Sequence, residues 1–126
     1  MLNHVGIEVS EMERSRAFYA GALEPLGIKV VMEFESAVGF GKEGEQGPVP
    51  FFWLNARGRP ATTGAHYAFG ARTTELVDAF HAAALAAGGT DNGAPGPRPI
   101  YHPGYYGAFV LDPDGNNIEA VCHTAG

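Results

Sequence analysis

The sequence predicts an α+β fold made of two tandem copies of one strand–helix–three-strand unit. Three observations predict it. The stretches "HVGIEVSEMERSRAFYAGALEPLG", from His4, and "HYAFGARTTELVDAFHAAALAAGG", from His66, align without gaps at an offset of 62 residues. Each opens with apolar alternation and continues into a helical pattern. Each is followed by short apolar segments separated by turn residues. In the alignment His4 meets His66, Phe18 meets Phe80, Leu23 meets Leu85 and Gly27 meets Gly89, besides three alanine matches.

Taken in order, the first strand puts Val5, Ile7 and Val9 on one face and His4, Gly6 and Glu8 on the other. Ser10, with Glu13 three residues on, predicts a capping box at the start of the first helix. Strands follow at "IKVVMEF", "SAVGFG" and "PFFWLN", and "NARGRPATTG" reads as the linker. The second copy sets Tyr67, Phe69 and Ala71 opposite His66, Ala68 and Gly70. Its helix starts near Thr73 or Thr74 and stops at Gly88-Gly89. Strands at "YYGAFVL" and "NNIEAVCH", with a weaker one within 90–101, complete it. One domain therefore covers 1–126, with modules at about 1–56 and about 64–126.

Composition narrows the functional classes. A chain of 126 residues with 45% hydrophobic residues can bury a core, and its formal net charge is −6. No Lys/Arg run is present, which argues against nucleic acid and anionic membrane partners. No apolar run is long enough to span a bilayer. The N-terminal stretch lacks a basic n-region and enters strand alternation at once, unlike a signal peptide. Cys122 is the only cysteine, which precludes an intrachain disulfide and suits the reducing cytoplasm. The expected partner is a small-molecule substrate.

Each helix must cover the apolar face of its sheet, which leaves His4 and His66 on the open face beside the small residues Gly6, Ala68 and Gly70. In "LDPDGNNIEAVCH" a type I turn at Asp112–Gly115 sets the register of the last strand. Asn117, Glu119, Val121 and His123 then share one face, with Ile118, Ala120 and Cys122 on the other. Two readings of Glu119 follow: an edge strand with its carboxylate in water, or an open-face position beside the histidines. Because the more apolar side should meet the helix, the second gathers His4, His66 and Glu119 as ligands of one divalent metal. Imidazole and carboxylate suit Zn, Ni, Co, Mn or Fe(II), and three ligands leave positions open for substrate.

The Gly/Pro-rich segment "GGTDNGAPGPRPIYHPGYYG" reads as loop and ends in Tyr101, His102, Tyr105 and Tyr106. These are either surface residues or a lid over the metal that orients substrate and moves protons. His102 is the acid/base candidate, since imidazole titrates near neutrality. Arg98 is a candidate for pairing with a substrate carboxylate. Phe51, Phe52 and Trp53 supply core and one aromatic pocket wall, which assigns Trp53 to substrate binding. His81 reads as helix packing, Cys122 as an inert buried thiol, and His123 as an auxiliary near Glu119.

The stretches "NHVGIEVSEMERSRAFYAGALEPLG", "GAHYAFGA" and "YGAFVLDPDGNNIEAV" together resemble the vicinal oxygen chelate superfamily of glyoxalases, bleomycin-resistance proteins and extradiol dioxygenases. The resemblance implies two βαβββ modules forming a curled mixed sheet around a cleft, with the helices outside. It implies a homodimer, with or without exchange of modules between chains. By position, His4, His66 and Glu119 match the metal ligands. It implies a glyoxalase-like lyase or isomerase whose substrate is chelated through neighbouring oxygens. The alternatives are Fe(II)-dependent ring cleavage and metal-free ligand sequestration. One departure is that Trp53, or a Phe in a register shifted by one, stands where metal-binding glyoxalases carry a further Glu or Gln.

Overall fold

Residues 1–124 are described by a computed structural model of the chain. The first module runs β1 (Val5–Glu8), α1 (Met12–Leu23), a 3₁₀ turn (Glu24–Leu26), β2 (Lys29–Phe34), β3 (Ala37–Gly44) and β4 (Gly47–Asn55). The second runs β5 (His66–Gly70), α2 (Thr74–Ala86), β6 (Thr90–Pro97), β7 (Tyr106–Leu111) and β8 (Asn117–Cys122). The two modules build identical topologies, with strand orders β1-β4-β3-β2 and β5-β8-β7-β6. In each, the first strand pairs parallel with the last and the other pairings are antiparallel. The two expected βαβββ modules are thus present, each contributing one four-stranded sheet.

Register makes the repeat exact at the open face. Gly6 pairs with Trp53 in the first sheet, and Ala68 pairs with Glu119 in the second. Trp53 therefore occupies in the first module the place that Glu119 occupies in the second, and no shift brings a Phe there.

The helices cover the apolar faces, as alternation requires. Phe18, Tyr19, Ala22 and Leu23 of α1 and Val77, Phe80 and Ala84 of α2 are fully buried with Phe40, Phe52, Leu54, Val110 and Ile118. Phe52 joins the modules, with its ring centroid 5.7 Å from that of Tyr67 and 5.5 Å from that of Phe69. A buried polar knot adds to this. Asp112 accepts from the backbone N–H groups of Asp114 and Asn116, both at 2.9 Å, and from the Asn116 amide at 3.0 Å. The Tyr19 hydroxyl of α1 also donates to it, so the β7–β8 turn is tied to the other module's helix. The turn closes where expected, with the Gly115 N–H bonded to the Asp112 carbonyl at 3.1 Å.

One local expectation is corrected. Ser10 does not cap α1: the N-cap position is Glu11, without a side-chain cap, and the Ser10 hydroxyl donates to Asp114 of the other module. Ser10 is engaged elsewhere: its hydroxyl donates to Asp114 and accepts from Arg14 Nη2 at 3.1 Å, and its backbone N–H also donates to Asp114. The weaker strand expected within 90–101 is β6, Thr90–Pro97, so only the rest of the Gly/Pro-rich segment before β7 is loop. Its prolines and glycines are accommodated by register shifts between Asp91 and Gly93 and between Gly93 and Gly96.

Candidate metal centre

β8 is flanked by β5 and β7, so Glu119 is not on an edge strand. It lies across from Ala68 on one side and Phe109 on the other, and is only 2% exposed. A buried carboxylate needs partners, and Glu119 has two. Oε1 lies 3.0 Å from His66 Nε2. Oε2 accepts the Tyr105 hydroxyl. Desolvation, and then the hydrogen bond to Glu119, push the Tyr105 hydroxyl above its ordinary range and keep it a donor.

His66 is held from behind. Its Nδ1 lies 2.9 Å from the Asn117 carbonyl, which can only accept, so Nδ1 carries the proton. In the neutral ring Nε2 therefore presents a lone pair to Glu119 Oε1. Two lone pairs at that separation repel unless a cation lies between them or a second proton makes the ring an imidazolium. A backbone carbonyl on the far nitrogen is the usual support of a metal-ligating imidazole. The nitrogen and oxygen donors present fit a divalent metal.

His4 is not part of this pair. It is exposed and lies just ahead of β1, with its Nδ1 2.8 Å from Asn3 Oδ1. Among the described residues no three His, Cys, Asp or Glu side chains converge as a metal-holding group. His4 and His66 do line one cleft of about 590 Å³, with Phe52, Tyr67, Phe69 and Lys42. His4 also borders a concave surface of about 710 Å³ on the open face of the first sheet, with Gly6, Val49, Trp53 and Asn55. Glu8, the carboxylate on that face, is engaged by Arg57 at 2.5 Å, and this hydrogen bond holds its carboxyl below the usual range. Trp53 stacks on Phe34 at 6.1 Å, forming an aromatic platform.

The loop residues divide. Tyr105 reaches Glu119, and the centroid of the exposed Tyr101 ring lies 4.8 Å from that of Tyr105. Tyr106 turns away, its hydroxyl donating to Asp78 of α2 at 2.7 Å. His102 and His123 pair at 2.8 Å between Nε2 and Nδ1, and both rings meet that of Tyr105 edge-on. The Gly104 N–H donates to His102 Nδ1, so a neutral His102 carries its proton on Nε2 and donates to His123. Arg98 is turned inward on its own loop, bonding the carbonyls of Ala94, Gly96 and Pro97 with its guanidinium 5.4 Å from the Phe109 ring centroid. His81 pairs with Asp91 at 2.9 Å, a partner not expected from the sequence, and Cys122 is buried as expected. Sequence reasoning missed Asn117, whose backbone carbonyl orients His66. Only the parallel register of β5 with β8 places it there.

Comparison with known proteins agrees with this architecture. The sequence matches the Glyoxalase/Bleomycin resistance protein/Dioxygenase superfamily over residues 1–120, and the chain belongs to that superfamily. A glyoxalase/bleomycin resistance protein from Albidiferax ferrireducens is 35% identical, with 95% of this chain and 96% of that one covered and a TM-score of 0.79. A glyoxalase I variant from Zea mays is 25% identical with a TM-score of 0.72, this chain being 97% covered and spanning 46% of that one. A lactoylglutathione lyase from Agrobacterium tumefaciens shares the fold at 17% identity, with coverage of 98% and 94% and a TM-score of 0.65. No curated protein matches. Among the described residues no helix is long and apolar enough to cross a membrane.

Proposed function

We propose that this protein is a divalent-metal-dependent lyase or isomerase of the glyoxalase kind, acting on a small substrate bound through two neighbouring oxygens. One observation carries the reading: His66 Nε2 and Glu119 Oε1 meet at 3.0 Å, backed by the Asn117 carbonyl and the Tyr105 hydroxyl, in an arrangement that a shared cation satisfies. A metal held there supplies Lewis-acid stabilisation to oxyanion character on the substrate. His66 and Glu119 are its ligands, and His4 of a second copy is the third, in a homodimer. Because the second module presents two ligands of the set and the first module one, a second copy can bring a first-module face against a second-module face. His102, paired with His123 beside Tyr105, is the group to move a proton to or from the substrate carbon. Tyr101 and Trp53 supply aromatic surface for the rest of the substrate. Arg98 braces the end of β6 from which the loop carrying His102 departs. The cytoplasm is the setting that the single cysteine fits.

A second reading, metal-free sequestration, draws on Trp53. In the first module an indole stacked on the exposed Phe34 stands where Glu119 stands in the second, which suits a flat ligand more than a metal. Elemental mass spectrometry of tag-free protein purified without chelator separates the readings. About one metal per chain, lost in Glu119→Ala with the fold intact, is the expected result. Zinc, nickel or cobalt sustains the lyase or isomerase assignment, and iron shifts it to ring cleavage with O₂. No metal after reconstitution overturns the proposal in favour of sequestration.

A further inference from the structure

Glu119 differs from an ordinary surface ligand in how completely its two oxygens are assigned to different partners. Oε1 faces His66, while Oε2 takes the Tyr105 hydroxyl. β7 makes room for that contact: a Cβ on Gly107 would lie 3.0 Å from Oε2 and 3.2 Å from Tyr105 Cε1. The Tyr105 ring is itself fixed, flanked by His102 at 5.4 Å and His123 at 5.3 Å between centroids. These two imidazoles are bonded to each other, and the Gly104 amide holds His102. A chain of contacts thus runs from the end of β8 through the loop to one carboxylate oxygen.

We propose that Tyr105 is a positioning residue that makes Glu119 a one-oxygen ligand, reserving Oε1 for the metal and holding Oε2 out of coordination. This rests on the metal reading above and adds the mode of ligation to it. The physical reason is charge: a hydrogen bond donated to Oε2 draws electron density from that oxygen and fixes the carboxylate, so Oε1 meets the cation without rotational search. With one oxygen withheld, the cation keeps an additional position for substrate or water. Without Tyr105, both oxygens are free to close on the cation and fill that position.

The probe is Co²⁺ alone, added to the metal-free protein and read by its visible absorption and by equilibrium titration. Thermal melts report folding. Wild type is expected to bind Co²⁺ with the intense visible bands of a low-coordinate site. Tyr105→Phe is expected to bind about tenfold to hundredfold more weakly, with weaker bands as the carboxylate becomes bidentate. Gly107→Ala, which pushes a methyl against Oε2, is expected to change the bands too and serves if Tyr105→Phe does not fold. Bands and affinity unchanged in the folded variants, with wild type loaded, overturn the positioning role alone. Failure of wild type to take up Co²⁺ overturns the metal reading beneath it, a distinct result.

Discussion

Tyr19 shows how one side chain can serve two modules. Its ring is fully buried against Phe18 and Phe52, at 4.9 Å from each, while its hydroxyl donates to Asp112. Burial, and then the charge of Asp112, push the hydroxyl pKa far above its ordinary 10.0. The fold therefore favours the neutral phenol. This contribution is complete below about pH 10 and is lost as pH rises beyond it, because the unfolded chain ionises there while the folded one does not. Tyr19→Phe is expected to cost about 1–3 kcal/mol at neutral pH and to make the alkaline loss of stability shallower. Denaturant titrations at neutral pH and above pH 10 check both, and an alkaline limb as steep as wild type's rejects the account. Glu119 is the contrasting case: its partners lie within its own module, so its burial is explained by a site and not by packing between modules.

At the scale of elements, the ends of the two helices correct the alignment of the repeat by one residue. The Gly27 N–H bonds the Glu24 carbonyl and the Ile28 N–H that of Leu23; the Gly88 N–H bonds Leu85 and the Gly89 N–H bonds Ala84. Both are Schellman turns. Gly27, with φ +75°, is thus equivalent to Gly88, with φ +103°, and not to Gly89, with which it aligns in sequence. Gly89 is required for space instead, since a Cβ there would lie 2.4 Å from Val110 Cγ1 and 2.7 Å from Phe18 Cε1. Gly89→Ala is expected to destabilise by about 1–3 kcal/mol through overpacking, measured by chemical denaturation. A change within error shows that the turn yields. The sequence match was real but its cause differed at this one position, which periodicity cannot reveal.

For the whole molecule, the proposed site requires two copies. His66 and Glu119 belong to one module and His4 to the other, and they do not converge within a chain. This makes an assembly-level expectation. His4→Ala and Glu119→Ala proteins, unfolded and refolded together, give mixed dimers in which one site is doubly damaged and the other intact. About a quarter of the wild-type metal should return to the mixture, against little in either variant alone. If the three ligands come from one chain, mixing restores nothing. Elemental analysis of the mixed sample, with the dimer established by sedimentation, decides between them.

The sequence by itself determined the two-module plan, the open faces of β1 and β5, and the His66–Glu119 candidates, because each depends on local periodicity and on one well-marked turn. It also indicated Trp53 at the departing position. Tertiary structure alone decided that β8 is interior, that Asn117 backs His66, that Tyr105 and not Tyr106 reaches Glu119, and that Ser10 binds Asp114. These depend on which strands become neighbours and on which of two adjacent loop residues faces inward. Such choices are made by packing between segments far apart in the chain, and leave no trace in the pattern of either segment.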